Sequence, residues 1–386
     1  MKHGKSNERK RGVGYSYWGF LGDVKMDSEG NLLSTPDGNA FYSWSIVDEL
    51  AMRGNSVFQL MPDRDKYTAE ILGPEMFTSW LGHRRINAYK YLCKMNDYLE
   101  SYDFLKDYIN YAILEWRFLV SGRNDFELKG QNGWQPDLYI QDKLIEALNA
   151  KNIPFVVFDL DYKLTEEDIK KYNIKYVIEL GNKWKDNLLV KSKRVEIPFW
   201  FNGINYFNPV EKPAGNLVYI GNRYERDWCI DKYIPEYLEG VKVYGNWNEA
   251  GRDSAQRWPK IDFGSRLQTR DMRDAYKDYI ATILLAKKEY CEMGFMTARL
   301  IEAVFYGVVP LFISEYGEDT IKKYAGEYAE LLTVDNKSDV DAIIRYLRHN
   351  PGERLKVISY LRNHLRFMDV SHFIDDVESL IQMHEN

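Results

Sequence analysis

The sequence predicts an α/β protein of two halves, each a parallel sheet covered by helices, facing one another. Three observations predict it. Short β-branched and aromatic runs alternate with helical spacings along most of the 386 residues. A stretch rich in Asn, Pro and Gly, Phe201 to Gly215, interrupts the alternation near its middle. Beyond it a second series of the same kind begins, with no internal repeat of ~20–50 residues and no low-complexity segment.

Composition allows two sizeable cores. With 45% hydrophobic and 15% aromatic residues, wholesale disorder is excluded. No window approaches about 18 consecutive apolar residues, so no transmembrane helix and no membrane partner are expected. Met1-Lys2-His3-Gly4-Lys5 leads into polar sequence without the apolar core of a secretory signal. Cys93, Cys229 and Cys291 are odd in number and far apart, as suits small hydrophobes in a reducing cytoplasm. Lys and Arg number 52 against 58 Asp and Glu, a net charge of −6. That excludes a nonspecific nucleic-acid coat and leaves a local basic groove open.

Taken in order, residues 1–11 read as a solvated basic arm. Gly12 to Trp18 is strand-like and opens onto a long polar loop through Pro36-Asp37-Gly38-Asn39. Ala40 to Arg53 has helical spacing, with Ile46, Val47, Leu50 and Ala51 apolar and Gly54 as its stop. Ser56 to Pro62, Tyr111 to Trp116, Pro154 to Asp159 and Lys175 to Leu180 read as strands, and Leu138 to Ala150 as a helix. Thr165-Glu166-Glu167-Asp168 is a capping-box helix start. In the second half, strands are expected at Asn216 to Gly221, Val241 to Tyr244 and Val308 to Phe312. A long helical region is expected near Arg270 to Leu285, and two helices from Glu353 to Met383 meet near Phe367-Met368-Asp369. The expected division is an arm (1–11), two Rossmann-like halves (12–207 and 208–368) and a C-terminal helix (369–386).

The strongest local signal runs from Glu292 to Pro310. A loop ends at Thr297, the expected N-cap, and a short helix runs to Tyr306 before Gly307 stops it. Leu300, Ile301, Val304 and Phe305 share its apolar side, while Arg299, Glu302 and Tyr306 share the other. Free N–H groups at such a start suit a phosphate, and a carboxylate one turn in suits vicinal ribose hydroxyls. An amphipathic helix with an ordinary Arg299–Glu302 surface pair fits the same spacing. The second signal is Val218 to Arg226, a strand entering a turn at Gly221 that presents Arg223 and Arg226, bidentate partners for a diphosphate. Tyr244-Gly245-Asn246-Trp247, after the next strand, offers a loop and an aromatic face near a nucleobase, or a plain turn.

At this point the chain resembles a known family. Gly294-x4-Arg299-x2-Glu302-Ala303-x3-Gly307-x2-Pro310 is similar to the donor-binding signature of GT-B glycosyltransferases, in particular spore-coat-type and bacteriophage members that modify DNA. Tyr219-x-Gly221 with Arg226 is similar to that subgroup's phosphate-binding turn. The resemblance spans most of the chain; residues 290–312 are its specific part. It implies two Rossmann-like domains facing across a cleft, with the final helix, from Val370 to Met383, crossing back onto the first. It also implies sugar transfer from a nucleotide-diphosphate sugar, a UDP-sugar in the first instance. Glu302 would hold the ribose, and Arg223 or Arg226 with the Thr297 helix start the diphosphate. Gly221, Tyr244, Gly294, Phe295 and Arg299 complete the expected donor site. Many retaining members carry a second acid where this chain has Gly294, so the stereochemical course is left unassigned.

An acceptor base is expected at strand ends of the first half, Asp37 first, then Asp23 and Asp159; Asp37 in its Asp-Gly turn also reads as a plain turn former. Asp159-Leu160-Asp161 is read as structural. No HxxxH, HExxH, CxxC or GxxxxGK[ST] pattern occurs, so neither a transition-metal site nor an NTPase is expected. No motif requires a divalent metal, and no cofactor beyond the nucleotide-sugar co-substrate is expected. Gly12-x-Gly14 lacks the rest of a dinucleotide fingerprint. His83-Arg84-Arg85 and the aromatic segment Tyr89 to Tyr108 suit either a large acceptor's surface or a packed helical pair. The phage-like resemblance implies a hydroxymethylated pyrimidine of DNA as acceptor, in the host cytoplasm, with a polysaccharide or protein as the alternative. A noncatalytic two-domain binder of nucleotide-sugar or carbohydrate is the reading from another class.

Overall fold

The computed structural model describes residues 12–16, 23–26, 32–35, 38–60, 104–117, 136–181, 190–196, 198–199, 206–248, 253–267 and 271–385. Asp37, the 1–11 arm and His83-Arg84-Arg85 lie outside them. The first part contains β1 (Gly12–Ser16), a hairpin of β2 (Asp23–Met26) and β3 (Leu32–Thr35), α1 (Gly38–Met52), β4 (Ser56–Gln59) and β5 (Tyr111–Glu115). It continues through α2 (Pro136–Ala150), β6 (Phe155–Asp159), α3 (Glu166–Tyr172), β7 (Tyr176–Leu180) and β8 (Lys191–Val195). The second part contains β9 (Gly215–Ile220), α4 (Asp227–Tyr233), β10 (Val241–Tyr244), β11 (Asp262–Gly264), α5 (Met272–Lys277) and β12 (Tyr279–Leu284). After it come α6 (Lys288–Glu292), α7 (Arg299–Tyr306), β13 (Val309–Ile313), β14 (Thr333–Val334), α8 (Pro351–His364) and α9 (Val370–Glu385).

Two six-stranded sheets result, ordered β4-β1-β5-β6-β7-β8 and β11-β10-β9-β12-β13-β14, with every pairing within them parallel. The reason is visible in β6: Val156 and Phe158 enter the core on one face, Phe155 and Val157 the core on the other. A strand buried on both faces reads as a continuous apolar run, and parallel sheets bury both faces. The expected α/β fold of two facing halves is therefore the observed one. At Thr165 the capping box forms as expected, its hydroxyl accepting from the Asp168 amide at 3.1 Å.

Two expectations are corrected, and three strands were not foreseen. Most of the helical region expected near Arg270 to Leu285 is not helix: α5 ends at Lys277, and Tyr279 to Leu284 form β12, a central strand of the second sheet. Its apolar run follows the helix after a single residue, and periodicity alone does not separate a buried strand from a buried helix. The polar loop after β1 folds as the antiparallel β2–β3 hairpin. Strands β8, β11 and β14, short or polar, had no readable pattern.

The chain returns to the first sheet at its end. Phe199 and Asp369 form a parallel bridge, with the Val370 amide donating to the Phe199 carbonyl at 2.8 Å. α9 then lies on α1 and β6 to β8: Phe373 packs on Phe158 (5.0 Å between centroids), and Arg53 bonds Asp375 (2.7 Å) and the Ser371 carbonyl (3.0 Å).

Candidate donor site at the second sheet

In an open parallel sheet, a crevice forms outside the carboxyl ends where strand order reverses. In the second sheet that point lies between β9 and β12. The chain leaving β9 turns at Gly221, and Arg226 beyond it reaches the Leu285 carbonyl at the end of β12 with Nε, at 3.5 Å.

The Gly221 turn is held on two sides. Its amide donates to the Tyr244 carbonyl at 2.9 Å, and its carbonyl accepts the Trp247 indole N–H at 2.7 Å. Gly245 has φ of 143°, and a Cβ there would lie 2.1 Å from the Gly221 oxygen, so two glycines are what let these backbones touch. A Cβ on Gly221 itself would sit 2.4 Å from the Tyr219 hydroxyl and 3.0 Å from Arg299 Nε. The turn after β9 and the first residue of α7 therefore meet.

On α7, Leu300, Ile301 and Val304 bury in the main core, and Gly307 ends the helix with φ of 81°. Glu302 is 9% exposed. Its Oε2 accepts from the Tyr276 hydroxyl at 3.2 Å and from Arg299 Nη1 at 3.5 Å. Burial, the largest single influence, lowers the Arg299 pKa, yet Glu302 together with Tyr219 and Tyr276 raises it by more, so the guanidinium stays charged. The helix begins one residue later than expected: Ala298 is the N-cap, without a side-chain cap. The Thr297 hydroxyl is instead buried with no hydrogen-bond partner among the described residues, as is that of Tyr219. An unmade bond at a buried hydroxyl costs about 1–3 kcal/mol, so such groups mark places where a ligand or water completes the structure.

The other expected site residues are distributed elsewhere. Arg223 is occupied: Nε and Nη2 bond Asp227 at 2.7 Å each, Nη1 bonds Asp253 at 2.9 Å, and the guanidinium lies over Trp258. Arg226 bonds the Tyr224 carbonyl at 2.8 Å. The Tyr244 ring packs against Gly264, under the Lys242 ammonium. Trp247, expected as an aromatic face, is fully buried and stacked on Phe263. Gly294 (φ 62°) and Phe295 stand at the junction of the two sheets' domains, where Phe295 meets the Tyr162 ring edge-on at 6.1 Å. Beside them Tyr290 donates to Asp161 at 2.9 Å. Asp159 accepts the Lys163 and Leu164 amides, the structural role expected. Asp23 opens β2. A cavity of about 990 Å³ is walled by residues such as Arg223, Tyr224, Trp228 and Lys287; Glu302 is not in its wall.

Sequence reasoning missed Tyr276, and it named Tyr219 only within the Tyr219-x-Gly221 resemblance. Tyr276 lay inside the segment read as one long helix, and a strand tyrosine has no local signal that sets it apart.

Comparison places this geometry among known folds. Residues 226–376 match the family model described as glycosyl transferase-like. The fold is similar to the DNA modifying enzyme β-glucosyltransferase (12% identity, 96% of this chain and 99% of that one, TM-score 0.57). It is equally similar to T4 phage BGT in complex with UDP and Mn2+ (13%, 96% and 99%, 0.57). Anabaena HepE in complex with UDP-glucose follows (10%, 96% and 98%, 0.55). By sequence, no curated protein matches. Among the described residues no helix is long and apolar enough to cross a membrane.

Proposed function

We propose that this GT-B glycosyltransferase moves a sugar from a UDP-sugar to an acceptor hydroxyl, with the donor held at the β9–β12 crevice. The observation that carries the reading is the meeting of the Gly221 turn with Arg299 and Glu302 of α7. Glu302 accepts the ribose hydroxyls. Arg226, Arg299, the Thr297 hydroxyl and the N–H groups opening α7 face the diphosphate. Arg223, bound to two carboxylates, supports the turn and leaves the phosphates to Arg226. Gly294 and Phe295 line the donor from the domain junction, and Tyr244 carries the Gly221 turn through its carbonyl. The division into 12–207 and 208–368 belongs to the same reading, with the acceptor on the first domain.

In the reaction the acceptor oxygen attacks the anomeric carbon, the bond from that carbon to the phosphate oxygen breaks, and UDP leaves with the electron pair. The acceptor's proton passes to a carboxylate, assigned to Asp37 or Asp23. Fixed cations and amides already facing the β-phosphate stabilise the leaving charge without reorganising. T4 phage BGT has been solved with UDP and Mn2+. Among the described residues of this chain no three His, Cys, Asp or Glu side chains gather as ligands.

For the acceptor we propose a hydroxymethylated pyrimidine in DNA. Support comes from end-to-end similarity to a DNA modifying glucosyltransferase. The test is transfer of labelled sugar from UDP-glucose and related donors. Label on hydroxymethyl-pyrimidine DNA and none on unmodified DNA is expected; label on polysaccharide or protein instead overturns the acceptor assignment.

A further inference from the structure

The carboxylate at position 302 does not stand alone. Tyr276 is fully buried, and its hydroxyl donates to Glu302 Oε2 at 3.2 Å from a different helix, α5. The Tyr276 ring stacks on Tyr306 (5.3 Å, 13°), four residues beyond Glu302 on α7, and Tyr306 stacks in turn on Phe207 (5.6 Å, 12°). The Arg273 guanidinium covers the outer face of Phe207 at 4.5 Å. This is a stacked column of three rings, and the hydroxyl of its Tyr276 end bonds Glu302.

From this column we infer that Tyr276 is a positioning residue, which fixes the Glu302 carboxylate so that Oε1 meets the vicinal hydroxyls of a ribose. The inference rests on the donor reading above. A carboxylate offers about four acceptor sites. Tyr276 and Arg299 both bond Oε2, which leaves Oε1 to a ligand. Without the phenol, the one side chain left bonding Glu302 among the described residues is Arg299, its neighbour on the same helix, at 3.5 Å. The phenol remains protonated: burial, and next the Glu302 charge, raises its pKa well above the ordinary tyrosine value. A donor locked by stacking holds its acceptor with little residual motion, which is how a polar contact behind a binding group adds selectivity.

The consequence is selective. Tyr276→Phe keeps the ring stack and loses only the hydroxyl, so the fold is retained. UDP and 2′-deoxy-UDP are titrated into the full-length protein, Tyr276→Phe, Glu302→Gln and the double variant. In the unchanged protein UDP binds tighter than its deoxy analogue. Tyr276→Phe is expected to weaken UDP about tenfold and leave 2′-deoxy-UDP almost unchanged, collapsing the preference. In the Glu302→Gln background the same change is expected to add nothing. Equal weakening of both nucleotides, or an undiminished preference, overturns the positioning role. No preference in the unchanged protein, with Glu302→Gln silent, would instead overturn the ribose assignment beneath it.

Discussion

At the residue scale, Arg223 is engaged by carboxylates of its own domain. Its fork is satisfied by Asp227 and Asp253, and the Asp227 carboxyl is held below its ordinary 3.8 chiefly by the Arg223 hydrogen bonds. A depressed carboxyl contributes stability above its unfolded pKa and loses it as pH falls through the folded one. Arg223→Ala is therefore expected to lower stability by about 1 kcal/mol at neutral pH, a discounted figure for a pair one-third exposed on the acid side. The deficit should shrink towards zero below the ordinary 3.8, while UDP affinity changes little. Denaturant melts at pH 7 and pH 3 check this, and a deficit that is the same at both refutes it. Glu302 was legible because its spacing from Gly307 and Pro310 is local. Its partner Tyr276 was not, since it lies on another helix and only tertiary structure joins them.

At the element scale, the sequence was most readable where one strand or helix carries its own signal. β5, β6 and β7 are buried throughout, each an apolar run with a single acid at or next to its end, and Thr165 to Asp168 closes a box within four residues. It was least readable at β12, whose Ile280, Ala281, Ile283 and Leu284 satisfy a helix and a buried strand alike. The C-terminal helix belongs to the readable class, and its docking yields a prediction. α9 buries Phe373, Ile374, Val377 and Leu380, mainly on the first sheet. Each such side chain contributes about 1.5–3 kcal/mol. Ending the chain at Asp369 should therefore lower the melting temperature of the first domain far more than that of the second. Calorimetry resolving two transitions tests it; equal shifts would show that α9 serves both domains alike.

At the scale of the whole molecule, function follows from where two sheets put their carboxyl ends. The second sheet brings the Gly221 turn against Arg299, and Tyr162, Gly181 and Asp161 meet Tyr290 and Phe295 where the two domains join. Sequence could place Gly221, Arg299 and Glu302 only as separate segments about 80 residues apart. The strand order that brings them together is a property of the assembled sheet. The most direct test of the central claim is a calorimetric titration of UDP into the full-length protein and into Glu302→Ala. A saturable isotherm with Kd in the range of about 1 μM to 1 mM, lost in the variant, is the result predicted. Absence of heat with every nucleoside diphosphate, or binding that Glu302→Ala leaves intact, would contradict it.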